Sequence, residues 1–183
     1  MAFPRASQPA PALAAPSPCR LFLALWPETD ERAQLLDYLQ QWSWPRGCAP
    51  VSPARLHLTL HFIGAVERQR LAAVSGALQV PMTPFELTLS RAEIWPRGLV
   101  VLHAAPVPDA LIQLHARLGA ALRGLGLPLE RRHFRPHLTL ARRAAGTLLP
   151  SAAPALRWQV SSYVLVESMP GDGGGYHIRA RYG

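Results

Sequence analysis

Lysine is missing from this chain of 183 residues, and its 19 basic side chains are all arginines. Acidic residues are also scarce: the chain has only 11 Asp and Glu, so its formal net charge is +8. A GC-rich genome produces such an arginine bias without any function, so the positions of the arginines matter more than their number. Five of them flank one short motif, where their positive potential can steer a phosphorylated ligand: Arg131, Arg132, Arg135, Arg142 and Arg143.

Cysteines and long apolar runs are scarce as well. Cys19 and Cys48 are the only cysteines, which fits a reduced cytoplasmic protein better than a disulfide-built secreted one. No apolar run approaches the roughly 20 residues that cross a bilayer, and prolines interrupt any signal-peptide core near the N-terminus. Residues 1–18 are predicted to form a disordered Pro/Ala-rich tail, and residues 19–183 a single two-lobed domain.

The tetrapeptide HLTL is present twice, at 57–60 and at 137–140. Each copy favours a strand in which alternate residues face the same side. In the first strand, predicted over 57–64, His57, Thr59 and His61 share a polar face, and Phe62 lies on the opposite, apolar face. In the second strand, predicted over 133–141, the polar face carries His133, Arg135, His137 and Thr139.

The remaining pattern predicts two similar halves. A strand at 20–26 is followed by a helix that Thr29 or Asp30 caps and that reaches Trp42. Further helices are predicted at 67–79 and 109–123, and further strands at 84–104, around a turn at 95–98, and at 155–168. An internal duplication of this kind places the two HLTL strands around a pseudo-two-fold axis, with both polar faces open to one central groove.

A repeated His-x-Thr suits the hydrolysis of a phosphodiester. Residues i and i+2 of a strand project side by side about 6.6 Å apart, so an imidazole and a hydroxyl reach neighbouring oxygens of one phosphate. Two histidines in opposite protonation states can act as base and acid near neutral pH. The threonines and an arginine can stabilise the charge that develops on the phosphorus oxygens.

Metal binding is the competing interpretation, because both motifs also contain His-x-x-x-His: His57 with His61, and His133 with His137. On a helix this spacing brings two imidazoles together around zinc. On a strand the two residues are about 13 Å apart, too far for one ion, and carboxylates are missing around both motifs. We therefore expect no metal and no cofactor. His103, His115 and His177 are interpreted as structural.

The motifs HLTLHFIG and RPHLTLAR, with RLFLALWP, FELTLSRAEIWPRGLVVL and VLVESMPGDGGGYHI around them, resemble the two-histidine phosphoesterase superfamily. Within it, the chain is most similar to the bacterial and archaeal RNA 2',3'-cyclic phosphodiesterases (LigT, ThpR), also called 2'-5' RNA ligases. The resemblance runs from about Arg20 to Tyr182. It implies a bilobal α+β fold with antiparallel sheets around the groove, and metal-independent hydrolysis of cyclic phosphate ends of RNA to 2'-phosphates, with reversible ligation as a related reaction.

The resemblance also implies the roles of individual residues. His137 is expected to be the base that activates water, and His57 the acid at the ribose 3'-oxygen. Thr59, Thr139 and Arg142 are expected to bind the phosphate. Because Arg142 lies outside the alternation of its strand, the strand must end or bulge there. The candidate substrate contacts are His61, Phe62, His133, Phe134 and Arg135, although core packing is the preferred interpretation for the two phenylalanines.

Other functions remain open at this point. The chain could act on small nucleotide cyclic phosphates or on 2'-5' linkages, or it could be a non-catalytic RNA-binding module. The expected partner is RNA with 2',3'-cyclic phosphate ends, tRNA fragments among them, bound by a monomer without contact to a membrane.

Overall fold

The computed structural model describes residues 17–130, 132–152, 154–169, 171 and 175–183; residues 1–16 of the tail predicted at 1–18 lie outside them. The helices are α1 (Thr29–Leu39), α2 (Leu71–Ala77) and α3 (Asp109–Gly124). The strands are β1 (Cys19–Leu25), β2 (Ala49–Pro50), β3 (Leu58–Val66), β4 (Phe85–Trp95), β5 (Leu99–Ala104), β6 (His137–Arg142), β7 (Leu156–Val160), β8 (Tyr163–Ser168) and β9 (Tyr176–Tyr182). Short 3-10 helices cover Pro53–Arg55, Arg68–Arg70 and Pro96–Gly98.

The nine strands of the described residues join one sheet whose order is β7-β4-β5-β6-β3-β1-β8-β9, with β2 added against β6. Every pairing between strands is antiparallel. Strands β7 and β8 lie near opposite ends of this order although only Ser161 and Ser162 separate them along the chain. Three Cα–Cα steps span at most about 11 Å, so the sheet must curl until these two strands lie close together.

The sheet has an approximate two-fold symmetry about its centre. Strands β3 and β6 meet there through a single pair, Leu58 with Leu138, and β1 and β5 flank them on either side. Helix α1 connects β1 to β3, and α3 connects β5 to β6, so both halves repeat a strand-helix-strand order. The predicted α+β fold with duplicated halves is confirmed, with one continuous curled sheet in place of separate sheets.

Helix α3 shows why the apolar pattern of the sequence predicted its helices. Its buried residues recur at intervals of three and four, which places them on one face: Leu111, Leu114, Leu118 and Leu122. They join the leucines of β1, β3 and β6 in the main hydrophobic core. Among the described residues, no helix is long and apolar enough to span a membrane.

Several predicted boundaries were wrong. Helix α1 ends at Leu39 before reaching Trp42, and its N-cap is Glu28, whose backbone N–H donates to the Glu31 carboxylate at 3.1 Å. Strand β6 begins at His137, so residues 133–136 lie outside it. The strand predicted at 155–168 is two strands, β7 and β8. Tyr163 starts the second of them, and its buried hydroxyl donates to the Leu78 carbonyl at 2.9 Å.

Glu167 is a buried carboxylate on β8 that joins four parts of the fold. Arg68 donates to one of its oxygens at 2.9 Å and Arg179 of β9 to the other at 2.6 Å, while Cys19 of β1 is also hydrogen-bonded to it. Burial alone raises the pKa of Glu167, but the hydrogen bonds from Arg179, Arg68 and Cys19 outweigh it, and the pKa is lowered. The carboxylate is therefore ionised in the folded protein at neutral pH.

We expect Glu167→Gln to destabilise the fold by about 2 kcal/mol at pH 7, because hydrogen bonds to a charged group are lost. A lowered folded-state pKa stabilises the protein above the ordinary value of about 4.3, and this contribution is lost as the pH falls through the folded value. Urea denaturation at pH 7 and pH 3.5 measures the difference, with the exposed Glu86→Gln as control. A Glu167→Gln effect of equal size at both pH values would contradict the expectation.

Candidate active site

A groove of about 1200 Å³ opens between the two halves of the sheet. Both HLTL motifs line it, together with residues from β1, with Glu130 and residues 132–135, and with Tyr176 of β9. The structure thus brings all of the predicted site residues to one surface: His57, Thr59, His61, Phe62, His133, Phe134, Arg135, His137, Thr139 and Arg142.

The pairing of Leu58 with Leu138 determines how the two motifs face each other. In an antiparallel register this pair places His57 beside Thr139 and Thr59 beside His137. Both pairs therefore project to the same side of the sheet, and each imidazole lies across the centre of the sheet from the threonine of the other motif. One phosphate group can lie within reach of all four side chains.

Both motifs contain a β-bulge at the second leucine. In β3, Thr59 and His61 pair with adjacent residues of β1, so Leu60 is an extra, unpaired residue. In β6, Thr139 and Ala141 likewise pair with adjacent residues of β5, and Leu140 is the extra residue. A bulge reverses the alternation of side chains. The residue five positions after each histidine consequently lines the groove: Phe62 in the first motif and Arg142 in the second.

Of the two expected ways to present Arg142, an end of the strand or a bulge, the structure has a bulge at Leu140, and the same reversal in β3 corrects the placement of Phe62. The guanidinium of Arg142 is exposed at the groove, and no carboxylate of the described residues lies within ion-pair distance of it. Phe62 is 44% exposed, so the prediction that it packs in the core was wrong. Its ring lies under the guanidinium of Arg20, whose central carbon is 5.4 Å from the ring centroid.

His57 and His137 are each held by an equivalent local hydrogen bond. Nδ1 of His57 lies 2.6 Å from the carbonyl oxygen of Arg55, and Nδ1 of His137 lies 2.6 Å from the carbonyl oxygen of Arg135. Because a carbonyl only accepts, Nδ1 must carry a proton in both rings. Nε2 is then the nitrogen that gains or loses a proton, so each ring can serve as a base when neutral and as an acid when protonated.

The environment lowers the pKa of both imidazoles. Burial is the largest cause at His57 and at His137, and the hydrogen bond to the backbone carbonyl opposes it in each case. Positive charge on Arg142 lowers both values further, and His103 and Arg135 also lower that of His137. Both rings are therefore mostly neutral above pH 6.5.

The surroundings of the two rings differ. His57 is enclosed by aromatic side chains: Phe22 at 5.0 Å, Trp26 at 5.5 Å and Tyr176 at 5.4 Å between ring centroids. His137 contacts Trp95 at 4.5 Å and faces His103 at 6.5 Å. Of these neighbours, His103 was interpreted as purely structural and the others were not identified from the sequence. Only the pairing of β5 with β6, which sets His103 opposite His137, brings it to the site.

The other predicted contacts lie at the groove wall and rim. His61 is buried, and its Nε2–H donates to the carbonyl of His115 at 2.8 Å. The His115 ring stacks between His61 and Phe134, and burial followed by the charge of His61 lowers its pKa to about 4. His133 and Arg135 are exposed in the segment before β6, so their predicted position on the strand was wrong.

Comparison with known proteins agrees with this geometry. The family model described as the 2'-5' RNA ligase superfamily matches residues 25–170. The RNA 2',3'-cyclic phosphodiesterase of Escherichia coli is 35% identical over 156 residues, which cover 82% of this chain and 84% of that protein.

Solved structures show the same fold. Crystal structures of E. coli LigT are similar in the apo form, with a TM-score of 0.80, and in complex with 3'-AMP, with a TM-score of 0.77. Both are 30% identical; the first covers 91% of this chain and 97% of LigT, and the second 90% and 96%. A duplicated α+β fold, a groove that carries both His-x-Thr motifs, and a family match over most of the chain lead to one conclusion: this chain belongs to the 2'-5' RNA ligase superfamily.

Proposed function

We propose that this chain hydrolyses 2',3'-cyclic phosphate ends of RNA and leaves a 2'-phosphomonoester. The observation that carries the proposal is the pair of imidazoles, His57 and His137, each with Nδ1 bound to a backbone carbonyl at 2.6 Å in one groove. The name of the E. coli relative, RNA 2',3'-cyclic phosphodiesterase, and the 3'-AMP bound by LigT support the same substrate class.

The proposed reaction needs one base and one acid. Nε2 of His137 takes a proton from water as the water oxygen bonds to phosphorus. The bond from phosphorus to the ribose 3'-oxygen breaks, and Nε2 of His57 gives that oxygen a proton. Thr59 and Thr139 donate hydrogen bonds to the phosphate, and Arg142 neutralises the charge that grows on its oxygens in the five-coordinate transition state.

The same arrangement supports ligation. If a 5'-hydroxyl takes the place of water, the base removes its proton, the 3'-oxygen leaves in the same way, and the product is a 2'-5' phosphodiester. The groove is large enough to take more than one nucleotide, and its wall offers aromatic rings such as Phe62 beside arginines. We therefore infer an RNA end, tRNA fragments included, as the substrate of a monomeric enzyme.

The first test is product identity. Purified protein is incubated in EDTA with a short RNA that ends in a 2',3'-cyclic phosphate, and the monoester is identified. We expect a 2'-phosphate, because the 3'-oxygen is the leaving group. We expect it to form in EDTA, because the proposed mechanism uses no metal. A 3'-phosphate would reverse the placement of the ribose, and activity that is lost in EDTA and restored by zinc would refute the metal-independent mechanism. If only small cyclic nucleotides react, the substrate class is wrong.

The pH dependence of kcat/KM follows from the lowered histidine pKa values. Turnover needs one neutral and one protonated histidine, so we expect a bell-shaped profile. Because both pKa values are below the ordinary 6.5, the maximum should lie on the acid side of pH 6.5 and the rate should fall from there to pH 8.5. A constant or rising rate over that range would contradict the proposed acid and base.

A further inference from the structure

Among the described residues, an ionic network centred on Glu93 lies beside His137. We propose that Glu93 of β4 is a positioning residue for His137, because it holds three groups that fix the imidazole in the groove. This inference rests on the proposed function, in which His137 exchanges a proton with the reacting water. Glu93 does not line the groove itself and does not touch the expected position of the phosphate.

One carboxylate oxygen of Glu93 accepts hydrogen bonds from three side chains. The indole N–H of Trp95 lies 2.7 Å away, Nε2 of His103 lies 2.9 Å away, and the guanidinium of Arg135 lies 3.4 Å away. The other oxygen forms an ion pair with Arg91. The hydrogen bond from Trp95, followed by that from His103, lowers the pKa of Glu93. The Glu93 carboxylate at the centre of the network is therefore negatively charged at neutral pH.

Each of the three held groups acts on His137. The Trp95 ring packs against the imidazole, with 4.5 Å between centroids. His103 faces it across the β5–β6 pairing. Arg135 lies over Trp95, 4.4 Å from the ring centroid, and its backbone carbonyl accepts the Nδ1–H of His137. Glu93 thus restrains the ring through the tilted indole packed against it, from the neighbouring strand and through the carbonyl that sets its tautomer.

His57 has a different support. Its ring lies among Phe22, Trp26 and Tyr176, which fix it by packing. Strand β4 pairs with β5 so that Glu93 lies opposite Val101 and Ala92 opposite Leu102. This register places Glu93 in the half of the sheet that contains His137. The near symmetry of the motifs is therefore broken by the elements around them. Loss of Glu93 should disturb one histidine and leave the other unchanged.

The test compares Glu93→Ala and Glu93→Gln with wild type. The Gln variant keeps the shape and one acceptor oxygen, so we expect kcat to fall about tenfold in Glu93→Gln and further in Glu93→Ala, with KM changed less than threefold. Glu86→Gln is the matched control, since Glu86 lies on the same strand and pairs at the surface with Arg157 and Gln159. The control should retain wild-type kcat. Thermal denaturation of each variant separates folding from positioning.

A second measurement, NMR titration of the histidine rings, does not depend on activity. The titratable and charged groups that face His137 are Glu93, His103, Arg135, Arg142 and His57. Removal of the carboxylate releases Trp95, His103 and Arg135 from their shared hydrogen-bond acceptor, so we expect the titration of His137 to shift in both Glu93 variants and that of His57 to stay unchanged. A purely structural role would lower the melting temperature without this selective shift.

The outcomes are distinct. A folded Glu93→Gln variant with wild-type kcat and an unshifted His137 titration would overturn the inference. If wild type hydrolyses no cyclic phosphate but the His137 titration still shifts in the variants, the proposed function fails and the positioning of His137 by Glu93 stands. If Glu93→Ala does not fold, the Gln variant, which retains the side-chain volume, decides the question alone.

Discussion

Replacement of either His57 or His137 with alanine is expected to lower kcat for cyclic phosphate hydrolysis by about 10²- to 10⁴-fold. Each ring presents a single titrating nitrogen, Nε2, to the same groove, and the reaction needs both a base and an acid. Neither threonine can replace that proton exchange. Thr59→Ala and Thr139→Ala should therefore cost less than either histidine substitution. Single-turnover hydrolysis of a labelled RNA end measures all four variants.

The control is His177→Ala, because His177 is exposed on β9 and does not line the groove. It should retain wild-type turnover. RNA affinity, measured in parallel, separates catalysis from binding: the two histidine variants should still bind the RNA. If either variant kept turnover within threefold of wild type, the two-histidine mechanism would be wrong. Full biological complementation by an inactive variant would favour the RNA-binding module.

The second large effect is expected at Arg142. Arg142→Ala should lower kcat/KM by about 10²- to 10³-fold, because the guanidinium is the cation that the bulge presents beside both His-x-Thr motifs. Arg142→Lys should recover part of the loss, since it keeps the charge but not the planar fork that binds two phosphate oxygens. Arg143→Ala is the matched control, because the neighbouring Arg143 is exposed and does not line the groove.

Arg142 also predicts a change in pH dependence. Its charge lowers the pKa of both His57 and His137, so both values should rise when it is replaced with alanine. The maximum of the kcat/KM profile should then move to higher pH in Arg142→Ala and stay in place in Arg142→Lys. A profile that does not move in the alanine variant would show that this guanidinium is too distant or too solvated to act on the two rings.

The central residues of the site could be predicted from the sequence because their arrangement depends on residues that are close together along the chain. The alternation of a strand puts His57 and Thr59 on one side, and His137 and Thr139 likewise. The hydrogen bond that sets each tautomer is local too, since it joins each ring to the carbonyl two residues earlier. The repeated short strand was therefore enough to predict the two histidines and two threonines of the site. The role of Arg142 was predicted from the resemblance to a known family.

Alternation failed where strand pairing intervened. Phe62 was predicted to face the core because it follows Thr59 by an odd number of residues. The bulge at Leu60 reversed that parity, and it forms only because β3 pairs with β1 in a shifted register. The same limit applies to the segment at 155–168. Its apolar run indicates strand, but only the curled sheet decides that β7 pairs with β4 and β8 with β1.

The two His-x-Thr motifs, the duplicated halves, the amphipathic helices and the family could all be predicted from the sequence, since they depend on the order and spacing of residues along the chain. The folded structure was needed to show that Phe62 faces the groove and that His103 lies opposite His137. It alone brought Glu93, Trp95 and Arg135 together on one side. The physical reason is that periodicity assigns a face to a side chain, whereas its neighbours on that face depend on strand register and sheet curvature, which arise only when distant segments pack.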